Sequence, residues 1–178
     1  MGIFDKPDFE QMVKAGDMPK LVHYANYIKD PELSAQAMKV ASRDVYKIVE
    51  YLYETAVWTQ HNSSNRGRRL PKRGIRQIND ATVLLRRLGT RSVMPLVDSV
   101  RTYDEYGDPE ENARELYFAI VFDLLEKMGA RAAAGLRELA KAKDKTMRAP
   151  ARDILERFVD RGLLETTGLT QRRSSPHS

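Results

Sequence analysis

The feature that most constrains the fold is an internal echo. Leu84-Leu85-Arg86-Arg87-Leu88-Gly89 returns forty residues later as Leu124-Leu125-Glu126-Lys127-Met128-Gly129. The chain beyond each glycine is alike too: Gly89-Thr90-Arg91-Ser92 leads to Leu96, and Gly129-Ala130-Arg131-Ala132 leads to Leu136. Self-similarity at a period of this size is the signature of stacked helical pairs, because one pair alone leaves its apolar face uncovered.

The rest of the chain fills in that plan. Residues 1–16 read as an arm with a short helix, in which Phe9, Met12 and Val13 share a face and Gly16 is the stop. Asp17 reads as an N-cap with Pro19 in the first turn, and Leu21, Tyr24, Ala25 and Ile28 form the stripe. Asp30-Pro31-Glu32 is a turn and restart, repeated as Asp108-Pro109-Glu110. Asp44 opens the next unit, in which lysine, aliphatic pair and tyrosine match those after Asp17. Residues 59–74, polar and punctuated by Gly67, Pro71 and Gly74, read as a long insertion inside the second pair. Trp58 reads as a structural plug at the helix end before it.

Helices are then expected over 75–88, from Val93 through Val100, from Ala113 to Met128, 130–143 and 146–161, with Pro150 confined to a first turn or marking a kink. Residues 162–178 read as a disordered tail. No stretch alternates apolar and polar residues long enough for a strand. The expected fold is all-α, an α-α superhelix of about four antiparallel helical pairs over residues 17–161.

Composition narrows the chemistry. No cysteine means no disulfide framework, thiolate nucleophile or Cys-based metal site. No apolar run approaches the roughly 20 residues of a membrane span, and no secretory signal is evident, so a cytoplasmic, non-membrane protein is expected. The net charge of +5 comes from 30 basic and 25 acidic residues. Arg66, Arg68, Arg69, Lys72 and Arg73 carry the whole excess within a segment free of acids. The basic character is therefore one segment's property rather than a field over the surface.

Taken together, the chain resembles a HEAT-repeat protein, of the short-repeat type known as phycobilisome-lyase-like. The resemblance rests on the Leu-Leu-x-x-Leu/Met-Gly endings, the Asp-Pro-Glu turns at Asp30 and Asp108, the prolines Pro19 and Pro95, and Arg114 and Arg152, each following an alanine. It spans roughly residues 10–161. It implies a HEAT-like solenoid and a role as a binding scaffold, without implying a particular partner. No residue carries over the chromophore chemistry of the family's lyase members.

The candidate sites are basic. Arg66, Arg68, Arg69, Lys72 and Arg73 suit either an acidic protein surface or nucleic-acid phosphates. No aromatic is interleaved with them, which counts against base stacking. On the second helices Arg76, Arg86, Arg114, Arg148 and Arg152 are candidates for a concave binding face, where a guanidinium can grip a carboxylate or phosphate. The alternative is that they pair with acids such as Asp80, Glu110, Glu115 or Asp153. Tyr24, Tyr51 and Tyr117 fall on core stripes, whereas Tyr46, Tyr53 and Tyr106 are surface candidates. His23, His61 and His177 lack metal-site spacing, and Asp104, Glu105, Asp108, Glu110 and Glu111 lack that of a calcium loop. No catalytic residue, metal site or cofactor is expected. The leading reading is a non-enzymatic scaffold for a protein partner; the alternative is a nucleic-acid-binding module.

Overall fold

Helix follows helix in this computed structural model, which describes residues 7–64, 70–103 and 111–165. Among these residues there is no strand. A short leading helix, α1 (Phe9–Lys14), precedes eight more: α2 (Met18–Tyr27), α3 (Pro31–Ala41), α4 (Val45–Ser64), α5 (Lys72–Leu88), α6 (Thr90–Arg101), α7 (Glu111–Met128), α8 (Ala133–Leu139) and α9 (Lys145–Asp160). A 3-10 turn, Gly129–Ala132, leads into α8. The expected helical stripes bury as one core. Leu21, Leu52, Leu84, Leu85, Leu96, Leu125, Leu136 and Phe158 are all shielded from solvent.

Both glycines of the echo end their helices as the repeat requires. Gly89 and Gly129 have φ of +63° and +64°, a left-handed region that strains any residue with a Cβ. Asp30 caps α3 by accepting from the N–H groups of Glu32 and Leu33. Asp17 holds the N-cap position of α2, but its carboxylate makes no capping bond and instead meets Lys20 at 2.7 Å. Pro95 and Pro150 lie in the second turns of α6 and α9 rather than the first, each removing one intrahelical bond.

The expected break at residue 59 is corrected by α4. That helix continues through Thr59 and Ser63 to Ser64, and α5 begins at Lys72, so the helices claim both ends of the expected 59–74 insertion. The physical reason is a stripe of small hydroxyl residues. Thr55 donates to the Tyr51 carbonyl at 2.7 Å, Thr59 to Thr55 at 2.6 Å, and Ser63 to Gln60 at 2.7 Å. Hydroxyls that bond back to their own helix can be buried without an orphaned donor. Gly74 on α5 leaves room for Thr59, whose Oγ1 would lie 2.0 Å from any added Cβ. Trp58 is therefore not a plug at a helix end; it stands within α4, 43% exposed.

The helices pack as consecutive hairpins. Each substantial contact lies within one pair or between neighbouring pairs, with α4 touching α5, α6 and α7, and α6 touching α8. Behind α4 the rings of Tyr53, Tyr103, Tyr117 and Phe118 form a cluster, with centroids 5.3–5.8 Å apart. Residues 1–6, 65–69, 104–110 and 166–178, and with them most of the expected basic segment, the Asp108-Pro109-Glu110 turn and most of the expected tail, lie outside the described residues.

Candidate functional site

Two first helices that are far apart in sequence border a concavity. Along α4, Tyr46, Lys47, Glu50 and Tyr53 recur at helical spacing and line one wall. Along α6, Pro95, Asp98 and Ser99 face them, with Thr102 just past its end. Between the two runs lies a groove of about 440 Å³. Tyr46 is the most exposed large apolar residue described, at 60%. Its hydroxyl donates to Asp98 Oδ2 at 2.8 Å, which fixes the ring across the groove. That bond, with some help from burial, raises the Tyr46 hydroxyl above the usual tyrosine pKa.

The groove walls are held from behind. Ser99 donates to the Leu96 carbonyl at 2.8 Å and lies 2.6 Å from the Tyr117 hydroxyl. Tyr53 sits edge-on to Tyr103 and Tyr117. Thr102 ties back to the Asp98 carbonyl at 2.9 Å. The groove offers two carboxylates, an ammonium, a half-buried ring and an exposed one. No imidazole lines the groove to activate Ser99. Among the described residues no group of three or more His, Asp or Glu side chains gathers as a metal site, and no helix is long and apolar enough to cross a membrane.

The arginines expected to form a concave face are only partly available. Arg76 approaches Asp80 at 3.8 Å within α5. Arg114 donates to Asp144 at 2.6 Å and lies over the Phe118 ring at 4.9 Å. Arg148 closes the chain before α9 by donating to the carbonyls of Ala142 and Lys143. Its neighbour in kind, Arg87, reaches the Ala25 carbonyl and Asn26. Arg86 and Arg152 are exposed and make no ion pair with a described residue. Asp144, which also caps α9, is pulled in two directions. Burial pushes its carboxyl up, but bonds from Thr146 and Arg114 outweigh it and hold the pKa below the ordinary value.

Of the basic segment, Lys72 and Arg73 are described and exposed, in the first turn of α5. Pro71 supplies no side-chain cap there and no acid is present in that turn, so two cations sit at the positive end of a helix dipole. Arg66, Arg68 and Arg69 lie outside the described residues. Of the three surface candidates Tyr46 is exposed, Tyr53 is half-buried and Tyr106 is not described; Tyr27 is exposed as well. Asp98 and Glu50 carry no local motif. Asp98 meets Tyr46 from 52 residues away, so only the packing of α4 on α6 reveals the pair.

The chain was compared with protein-family models, curated proteins and solved structures, and it matches none of them.

Proposed function

We propose that this chain is a non-enzymatic helical scaffold, a HEAT-like α-α superhelix, that binds a protein partner through the groove between α4 and α6. Packing confined to consecutive helical pairs supports the superhelical reading, since nearest-neighbour contact is how solenoids are built. The observation that carries the binding reading is Tyr46. A large ring that stays 60% exposed yet is locked by a hydrogen bond to Asp98 offers contact area at little ordering cost. The reading moves the site from the second helices, where the expected arginines are mostly engaged, to the first. It places the protein in the cytosol, in keeping with a chain free of cysteine.

A photo-crosslinking amino acid at position 46, and separately at position 152, tests this. The expected result is a partner captured from position 46, identified by mass spectrometry, then purified. Tyr46→Ala should weaken its binding at least about tenfold. Capture from position 152 alone, with affinity indifferent to Tyr46→Ala, would return the site to the second helices.

A second reading, nucleic-acid binding, is favoured by Arg86 and Arg152, exposed and in no ion pair with a described residue, and by the uncapped cationic turn of Lys72 and Arg73. Duplex anisotropy at several salt concentrations separates the two, because phosphate contacts weaken steeply with salt.

A further inference from the structure

Resting on the groove as the binding site, we infer that its ligand is an arginine side chain on a basic segment of the partner protein. Glu50 and Asp98 both line the groove, and neither forms an ion pair with a described residue. The cation in the lining is Lys47, which pairs with neither of them, so carboxylates outnumber it two to one. Two rings complete the surround. Tyr46 lies open to solvent across the mouth, and Tyr53 stands edge-on against the aromatic cluster behind. Acids beside exposed aromatic faces favour a cation, and a planar one above all. A guanidinium can bond a carboxylate in two places while its flat face covers a ring, whereas an ammonium does so only as a point charge.

Asp98 is prepared for this. Its Oδ2 accepts from the Tyr46 hydroxyl at 2.8 Å, which orients the carboxylate and leaves Oδ1 for a second donor. The groove volume, about 440 Å³, accommodates one long side chain with its flanking backbone. Phosphate is the wrong occupant for the same reason that guanidinium is the right one, because it would face two carboxylates in one cleft. The second-helix cations Lys72, Arg73, Arg86 and Arg152 lie on α5 and α9, and none of them lines the groove.

The test is an NMR titration of the full chain with two blocked pentapeptides that differ at one position. Each has a central residue flanked by two glycines on either side; one carries arginine and the other citrulline, its uncharged isostere. With the arginine peptide, amide shifts are expected along residues 46–53 and 98–102, with affinity at least about tenfold above that for citrulline. Glu50→Gln with Asp98→Asn should abolish the difference while leaving the dispersed spectrum of a folded protein, since asparagine can still accept from Tyr46. Equal binding of both peptides, shifts confined to other helices, or no shifts with either peptide would overturn the assignment. A partner that still crosslinks to position 46 in those cases would show that the groove is the site and the arginine is not its ligand.

Discussion

On α4 and α6, Glu50 and Asp98 border an open groove with no described counter-ion; on α5, α7 and α9, most of the arginines are already engaged. Arg114 has Asp144, Arg148 has two carbonyls at the end of the loop before α9, and Arg87 has the carbonyl of Ala25. The difference follows from where each helix pair meets its neighbour. Second helices border the connections, whose free carbonyls and capping carboxylates attract long cationic side chains. The first helices α6 and α8 meet through small and apolar residues. Gly135 of α8 lies directly against Val93 and Val97 of α6, and polar groups are left facing outward. A charged residue that has no structural task is the better candidate for a partner's use.

The largest expected effect comes from removing the support behind the groove. Tyr117 is fully buried between Tyr53 and Tyr103, and its hydroxyl meets Ser99. Tyr117→Ala should cost about 3–5 kcal/mol in urea unfolding, as for other large buried aromatics. Tyr117→Phe, which gives up the hydroxyl contact with Ser99, should cost about 0.5–1.5 kcal/mol. A cost below about 1 kcal/mol for Tyr117→Ala would mean that the groove wall does not depend on this cluster.

Next in size is Gly135→Ala. An added Cβ would lie 2.6 Å from Val93 Cγ1 and 2.8 Å from Val97 Cγ2. Valine has little rotamer freedom in a helix, so α6 and α8 must separate, at about 1–3 kcal/mol. If the groove depends on the seating of α6, the same variant should also weaken binding by the α4–α6 groove. Loss of stability with binding unchanged would show the two contacts of α6 to be independent.

How much of this was legible in the sequence varies with the range of the interaction. Helix ends set by one residue could be read directly, as with Gly89 and Gly129, and so could the restart at Asp30-Pro31-Glu32. The all-helical class and the core stripes followed from spacing alone. The continuation of α4 past residue 59 could not, because Thr-Gln-His-Asn-Ser-Ser reads as polar. Only the bonds of Thr55, Thr59 and Ser63 to their own helix make that polarity compatible with burial. Asp17 holds the N-cap position that its identity marks, but Lys20 three residues on takes the carboxylate in place of the backbone N–H groups. The partner of Arg114 was also out of reach. Acids three or four residues away are visible in a sequence, whereas Asp144 is thirty residues distant and reaches Arg114 only through the packing of the last two pairs. The groove failed to show for the same reason.

The paired side of the comparison has a pH signature. Glu126 is held below the ordinary carboxylate pKa mainly by its bond from Arg157, with Arg161 adding to the field, and Asp144 is lowered by Thr146 and Arg114 against the effect of its burial. A depressed folded-state value means that the carboxylate's contribution is complete above the unfolded pKa, near 4, and is lost as pH falls through the lower folded value. Wild-type stability should therefore drop on acidification below about pH 4. Asp144→Ala should cost about 1–2 kcal/mol at neutral pH, for the cap and the partly exposed ion pair together. That deficit should shrink in acid, where the wild type has lost the same charge. A deficit that stayed constant with pH would show that only the cap matters.

The smallest expected effect is the sharpest on the choice between the two faces. Arg86 and Arg152 have no described partner to lose, so the double change Arg86→Ala with Arg152→Ala should leave the unfolding free energy within about 0.5 kcal/mol of wild type. A larger loss would show that they carry structural work, and the contrast between engaged and free arginines would fail. With stability unchanged, the same protein can be assayed for ligand binding without ambiguity. If its partner affinity is also unchanged, the second-helix cations are solvated bystanders. If it loses a salt-sensitive affinity for duplex DNA instead, the free cations of the second helices are the working surface, and the tyrosine groove between α4 and α6 is not where this protein makes its contact.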